Sequence, residues 1–201
     1  MSLLPPDPWQ KVRTQHDFAA DELISALQKE IRRGNTENAA VVAYELCITS
    51  PELEAKVWQR LYVMAVEDIG MGEPMAPVLI HDLGQMRQAL AYGAGDRYLY
   101  TIHAVRYLCG CKKDRSSDEM LNWIKNSMEN NGLRPSIPDY VLDMHTRRGA
   151  EMGRGLDHFL KEASRVKPEL PGRDTTYRER LLKYFREEQF SKNGDETENP
   201  S

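Results

Sequence analysis

An all-α fold, an array of eight to ten helices, is predicted by this 201-residue sequence on three observations. Apolar residues recur at the three-to-four spacing of one helix face along most of the chain. Capping residues, glycines and prolines punctuate those stretches at intervals that suit helices. No segment of convincing length alternates apolar and polar residues with the period of a strand.

The elements follow in order. Met1 to Pro8 is proline-rich and reads as an extended arm ending near residue 16. From Asp17 to Arg33, Phe18, Leu23, Ile24, Leu27 and Ile31 form one apolar face, and Gly34 after Arg32 and Arg33 is a stop signal. Asn35 or Thr36 caps a second helix through Cys47 that has almost no polar face, which predicts a central position. Ser50 and Pro51 start a third, with Leu53, Val57, Leu61, Met64 and Ala65 inward, ending near Gly70. Met71 to Pro77 is a bent connection to a helix over residues 78–92, which Gly93 and Gly95 end. Asp96 opens the next, with Leu99, Ile102, Val105 and Leu108 inward, and Ser116 with Glu119 forms a capping box for a helix through Trp123 and Met128. Beyond Pro135 and Pro138 the composition turns to arginine, histidine, aspartate and glycine as far as Gly155. A last helix follows Asp174. The predicted organisation is an arm over 1–16, a helical domain over 17–190 with a subdivision near 134, and a disordered tail over 191–201, which carries little but polar residues.

Composition narrows the function classes. A formal net charge of -4 and a pI near 5.8 give no global basic field, so any contact with DNA needs a local patch. No apolar run reaches the roughly 18 residues of a membrane helix, and the N-terminus has no signal-peptide pattern, so a cytoplasmic protein without a membrane partner is expected. Cys47, Cys109 and Cys111 are an odd set without zinc-ligand spacing, and they read as reduced thiols rather than metal ligands.

Two stretches together point to a family. "DELISALQKEIRRGNTENAAVVAYEL" followed by "RLYVMAVEDIGMGEP", residues 21–46 and 60–74, resembles the helix pair and "SEDIGLADP" turn of the RarA/MgsA family of replication-associated AAA+ ATPases, which includes the Werner-helicase-interacting protein. "IPDYVLDMHTRRGAEMGRG", residues 137–155, is similar to that family's closing segment, with Pro138, Thr146, Glu151, Gly153 and Gly155 in register. The resemblance covers roughly residues 17–160 and concerns the part that follows the ATPase module. It implies a helical oligomerisation domain, a dimer or tetramer linked to DNA replication or repair, working with an AAA+ ATPase in cis or in trans. No G-x-x-x-x-G-K-[ST] loop is present in the sequence, so no backbone nest exists there for nucleotide phosphates, and neither ATP hydrolysis nor a cofactor is expected of this chain.

Several residues are candidates for chemistry. His81 and Asp82 follow an apolar run as in HD phosphohydrolases. A small metal-dependent hydrolase using His81, Asp82, Asp143 and His145 is therefore the alternative to a non-enzymatic domain, though a helix-surface pair is the blander account. Glu67 and Asp68 imitate a Walker B pair, yet with no phosphate loop they read as structural, bonding the turn from Gly70 to Pro74. Lys112, Lys113 and Arg115 suit the negative end of a helix dipole. His145, Arg147, Arg148, Arg154 and His158, interleaved with glycines, form a candidate anion or nucleic-acid site, against an internal salt-bridge network with Asp143, Glu151 and Asp157. Self-association is also expected, through helix faces carrying Trp58, Tyr62, Met64 and Tyr98.

Overall fold

The computed structural model describes the backbone of residues 7–195 and the side chains of residues 7–185. Of the extended arm expected over 1–16, residues 1–6 lie outside the described residues, while residues 7–16 are not an open arm: Pro8–Lys11 form a 3-10 turn and Trp9 and Val12 pack against the core. Of the tail expected over 191–201, residues 196–201 lie outside the described residues. Among the described residues the chain forms nine α-helices and no strand, divided between two compact units, Met1–Leu133 and Arg134–Ser201.

The first unit contains α1 (Ala20–Arg33), α2 (Thr36–Thr49), α3 (Pro51–Met64), α4 (Ala76–Met86), α5 (Gly95–Gly110) and α6 (Ser116–Asn130). Gly34, at φ 74°, ends α1 by donating its N–H to the Glu30 and Ile31 carbonyls, a left-handed cap that glycine adopts without strain. The Ser50 hydroxyl accepts from the Leu53 N–H at 3.2 Å and Pro51 fills the first position of α3, as the residue types predict. α2 packs against α1, α3 and α5, so its paucity of charge has a cause in burial. Leu27, Ile31, Leu46, Leu53, Leu61, Ile80 and Leu108 are fully buried in one core.

Tertiary packing changes several expectations. Trp58 and Met64 are buried in the core and Tyr62 leans on it, so they offer no contact face; α3 is enclosed by α2, α4 and α5. A Cβ at Gly84 would overlap the Tyr62 hydroxyl, which explains why α4 carries glycine at its crossing with α3. Phe18, which precedes α1, and Leu99 on α5 are exposed rather than inward, and α2 leaves Val41 and Tyr44 open. α1 begins at Ala20, since Asp17 takes φ 65° in the turn before it. α4 stops at Met86 and passes through one 3-10 turn, Arg87–Ala89, so residues 90–92 are not helical. Asp96 lies inside α5. Ser116 heads α6, with its N–H donating to the Asp114 carboxylate at 2.9 Å, and Arg115 stands at the N-cap without a side-chain cap bond, so no capping box forms.

The second unit contains α7 (Arg147–Glu151), α8 (Leu156–His158), which runs into a π-helical turn at Phe159–Ala163, and α9 (Thr176–Asp195). Asp174 caps α9 by accepting from the Thr176 N–H at 2.8 Å. The helix continues through 191–195, where the polar composition predicts disorder.

Candidate functional site

The proline-bounded segment of the second unit builds its geometry around Asp143. Pro138 is extended and is followed by a 3-10 turn over Asp139–Val141, which delivers Asp143 into a tight reversal. The Asp143 carboxylate accepts from the His145 N–H at 2.9 Å and meets the His145 ring Nδ1 at 3.1 Å. That contact with His145 holds the Asp143 carboxyl below its ordinary pKa. Thr146 donates to the Asp143 carbonyl at 3.0 Å and accepts from the Gly149 N–H at 3.1 Å, capping α7. A Cβ at Gly149 would collide with the Asp143 backbone, so the loop closes only over glycine.

Arg154 locks this loop from the other side. Its guanidinium donates to the Asp139 carbonyl at 2.6 Å, the Leu142 carbonyl at 2.9 Å and both Asp139 carboxylate oxygens at 2.6 and 2.8 Å. Asp139 is pulled below its ordinary pKa by this bond. Both terminal nitrogens of Arg154 serve the loop, so it holds the segment in shape. Arg147 and Arg148 are exposed at the start of α7, and Arg147 makes only a loose pair with Glu151 at 3.6 Å. The His145 ring stands edge-on to Phe159 at 5.0 Å, and Asp157 pairs with Lys161 rather than with an arginine. His158 has its Nδ1 buried without a hydrogen-bond partner. The face that can meet an anion thus comprises Arg147 and Arg148 with His145 beside them.

The hydrolase residues are arranged otherwise. His81 and Asp82 lie exposed on α4 in the first unit, 3.4 Å apart, while Asp143 and His145 belong to the second unit. Among the described residues no three His, Cys, Asp or Glu side chains converge as a metal site. Cys47 and Cys109 are buried and Cys111 half-buried, all with free thiols. Burial raises the Cys47 thiol to about 12, far from a reactive thiolate.

Glu67 and Asp68 do not bond the turn that follows them. They sit on a π-helical turn, Ala65–Ile69, that continues α3, and both accept from arginines. Asp68, fully buried, takes Arg32 Nε at 2.6 Å, Gln28 Nε2 at 3.0 Å and Arg115 Nη1. Glu67 takes Gln28 at 2.9 Å and Arg32 and Arg115 at 3.2 Å each, with Arg60 at 3.7 Å. The hydrogen bond to Asp68 raises the Arg115 pKa, so Arg115 is an ionic clamp and not a solvated dipole partner. Lys113 does serve the end of α5, donating to the carbonyls of Leu108, Cys109 and Cys111. Gly70, at φ 51°, lets the turn lie against the Asp114 backbone, where a side chain would overlap it.

Sequence reasoning missed a second buried ion cluster. Glu54, only 1% exposed, receives Arg97 Nε at 2.8 Å, Arg97 Nη2 at 3.0 Å and Arg87 Nη1 at 3.0 Å, and Arg87 also lies over the Trp58 ring. A signal existed: Glu54 falls on the same α3 stripe as Trp58 and Leu61, where a lone carboxylate requires a cation.

Comparison with known proteins places this geometry in context. The chain matches the family model described as MgsA AAA+ ATPase C terminal over residues 34–192. It is also 32% identical over 156 residues to the replication-associated recombination protein A of Bacillus subtilis (strain 168), an alignment covering 74% of this chain and 35% of that protein. The chain therefore spans about a third of the length of that relative.

Proposed function

The chain belongs to the MgsA AAA+ ATPase C-terminal family, and from that membership we propose that it works as a non-enzymatic helical interaction domain. It self-associates, as a dimer or tetramer, and serves a replication- or recombination-linked AAA+ ATPase in cis or in trans. The observation that carries this reading is the apolar surface left open on well-formed helices. Val41 and Tyr44 stand out from α2, and Met120, Leu121 and Trp123 stand out from α6, of which only Ser127 is buried. Single exposed apolar residues are ordinary, but several on ordered helix faces mark contact surfaces. Analytical ultracentrifugation over a wide concentration range tests it: a dimer or tetramer is expected, and a monomer at every concentration contradicts the reading.

DNA is the proposed ligand of the exposed Arg147 and Arg148. Two guanidinium groups at the start of α7, held by a loop that Arg154 and Thr146 fix, can meet backbone phosphates at little ordering cost. The Arg147→Ala/Arg148→Ala variant is expected to bind single- or double-stranded DNA more weakly, with the log-log salt slope reduced by about one for each phosphate no longer neutralised. Both side chains are exposed, so its melting temperature should stay at that of the parent protein. Unchanged DNA binding with lowered stability would assign the two arginines to the fold instead.

A further inference from the structure

We propose that the first unit carries a phosphate-binding hollow of its own, in which Arg106 and Lys112, at the C-terminal end of α5, bind backbone phosphates of DNA. The inference rests on the DNA reading just given and adds a contact that Arg147 and Arg148 do not supply. The hollow, about 520 Å³, is lined by Arg106, Tyr107 and Gly110 of α5, by Cys111 and Lys112 just after it, and by Gly72 and Glu73 of the turn before α4. Its frame is fixed by packing. Gly72 lies so close to the Lys112 backbone that a Cβ would overlap the carbonyl, and the Asp114 N–H donates to the Asp68 and Ile69 carbonyls at 3.1 Å each. The two segments are therefore joined before any ligand arrives, which lowers the ordering cost of binding.

The charge balance of the hollow calls for an anion. Arg106 and Lys112 are both exposed, and among the described residues neither side chain makes a hydrogen bond or an ion pair. Lys113 adds to the excess. Its ammonium bonds the carbonyls of Leu108, Cys109 and Cys111 at 2.8, 3.1 and 2.6 Å, which satisfies the end of α5 but leaves the charge without a carboxylate. Arg115, by contrast, is taken up by Glu67, Asp68 and Asp118. Glu73 is the one carboxylate of the lining, and it accepts from the Met75 N–H at 3.3 Å. The Cys111 thiol donates to the Tyr107 carbonyl at 3.2 Å, and burial raises the pKa of both side chains, that of Tyr107 to about 12, so neither contributes a negative charge near neutral pH. Arg106 then offers a planar fork of donors and Lys112 a mobile point charge, both of which phosphate oxygens accept. The two cations stand at the surface and not inside a closed cavity, which suits a phosphodiester backbone running past the hollow better than a small enclosed anion.

The test uses the full chain and a fluorescein-labelled DNA duplex, titrated by fluorescence anisotropy over a range of salt concentrations. Arg106→Ala/Lys112→Ala is expected to bind several-fold more weakly, with the log-log salt slope shallower by about two, roughly one for each phosphate no longer neutralised. Its melting temperature should match the parent protein's, because both side chains are exposed. Lys29→Ala/Lys56→Ala removes the same charge from side chains that bond Ser25 and Gln59, and is expected to keep the parent slope. Gly110 supplies an independent probe. It lies outside the left-handed region and an added Cβ there meets nothing within 4 Å, so Gly110→Glu and Gly110→Gln each place a side chain at the hollow without displacing the protein. The glutamate is expected to weaken binding more than the glutamine of equal size. An unchanged slope in Arg106→Ala/Lys112→Ala, an equal drop in Lys29→Ala/Lys56→Ala, or equal affinities of the two Gly110 variants overturns the hollow. If Arg147→Ala/Arg148→Ala alone weakens binding, the hollow falls and the DNA reading stands, whereas a parent protein that binds no DNA overturns both.

Discussion

Glu54→Gln is expected to lower the melting transition of the first unit by roughly 10 °C or more, while Glu52→Gln, two residues earlier and exposed, leaves it almost unchanged. The difference is one of solvent. Glu54 is 1% exposed and is the carboxylate that Arg87 and Arg97 share. Its removal leaves two nearly buried guanidinium groups with no counter-charge, and breaking a buried pair in this way costs about 3–5 kcal/mol. A glutamine keeps the shape but accepts through one oxygen only, so it cannot restore the bidentate contact with Arg97. The loss also reaches the chain path. Arg97 donates through Nη1 to the Arg87 and Leu90 carbonyls, pinning the connection between α4 and α5 over α3. Thermal unfolding followed by circular dichroism on the two variants decides it, and equal melting temperatures would show that Glu54 contributes no more than a surface carboxylate.

Asp68→Asn is expected to have a comparable effect by a different route. Asp68 has no exposed surface and receives Arg32, Arg115 and Gln28, which come from α1 and from the start of α6. One carboxylate on the turn after α3 therefore joins three segments remote in sequence. Asparagine removes the charge and leaves Arg32 and Arg115 to share Glu67, which already receives Gln28, with Asp118 as the one further carboxylate on Arg115. Loss on the order of 3 kcal/mol follows from the same asymmetry between an intact and a broken buried pair. Chemical denaturation should show a lower midpoint with an unchanged slope, because the area exposed on unfolding is the same in both proteins. Hydrogen exchange adds a spatial check: α6, which touches the rest of its unit chiefly at the π-helical turn, should lose protection before α2 does. Protection of α6 equal to that of the parent protein would refute the clamp.

The cluster around Asp68 explains why the stretch from Glu67 to Gly70 reads as a motif. Its acids are taken up by arginines and its glycine by a close backbone approach, so the residues that carry the family resemblance here hold the structure together. The open arginines of the second unit are one surface proposed for DNA.

The all-α class and the order of α1 to α6 and α9 were legible from the amino-acid sequence alone, because spacing, caps and breakers are local properties, whereas the short α7 and α8 carry too few turns to show a period. Gly34, Ser50 with Pro51 and Asp174 act where their chemistry demands. The absent phosphate loop and the family likeness were equally legible, being statements about order along the chain. What each helix face touches was not. Trp58 and Val41 lie on similarly apolar helices, yet one is enclosed and the other open, and only the neighbours of α3 and α2 decide which. Arg154 and Arg148 look alike in the sequence, but one meets Asp139 across the loop and the other faces solvent. Burial and pairing depend on residues far away in the chain, so periodicity can propose a face while the tertiary structure alone assigns its partner.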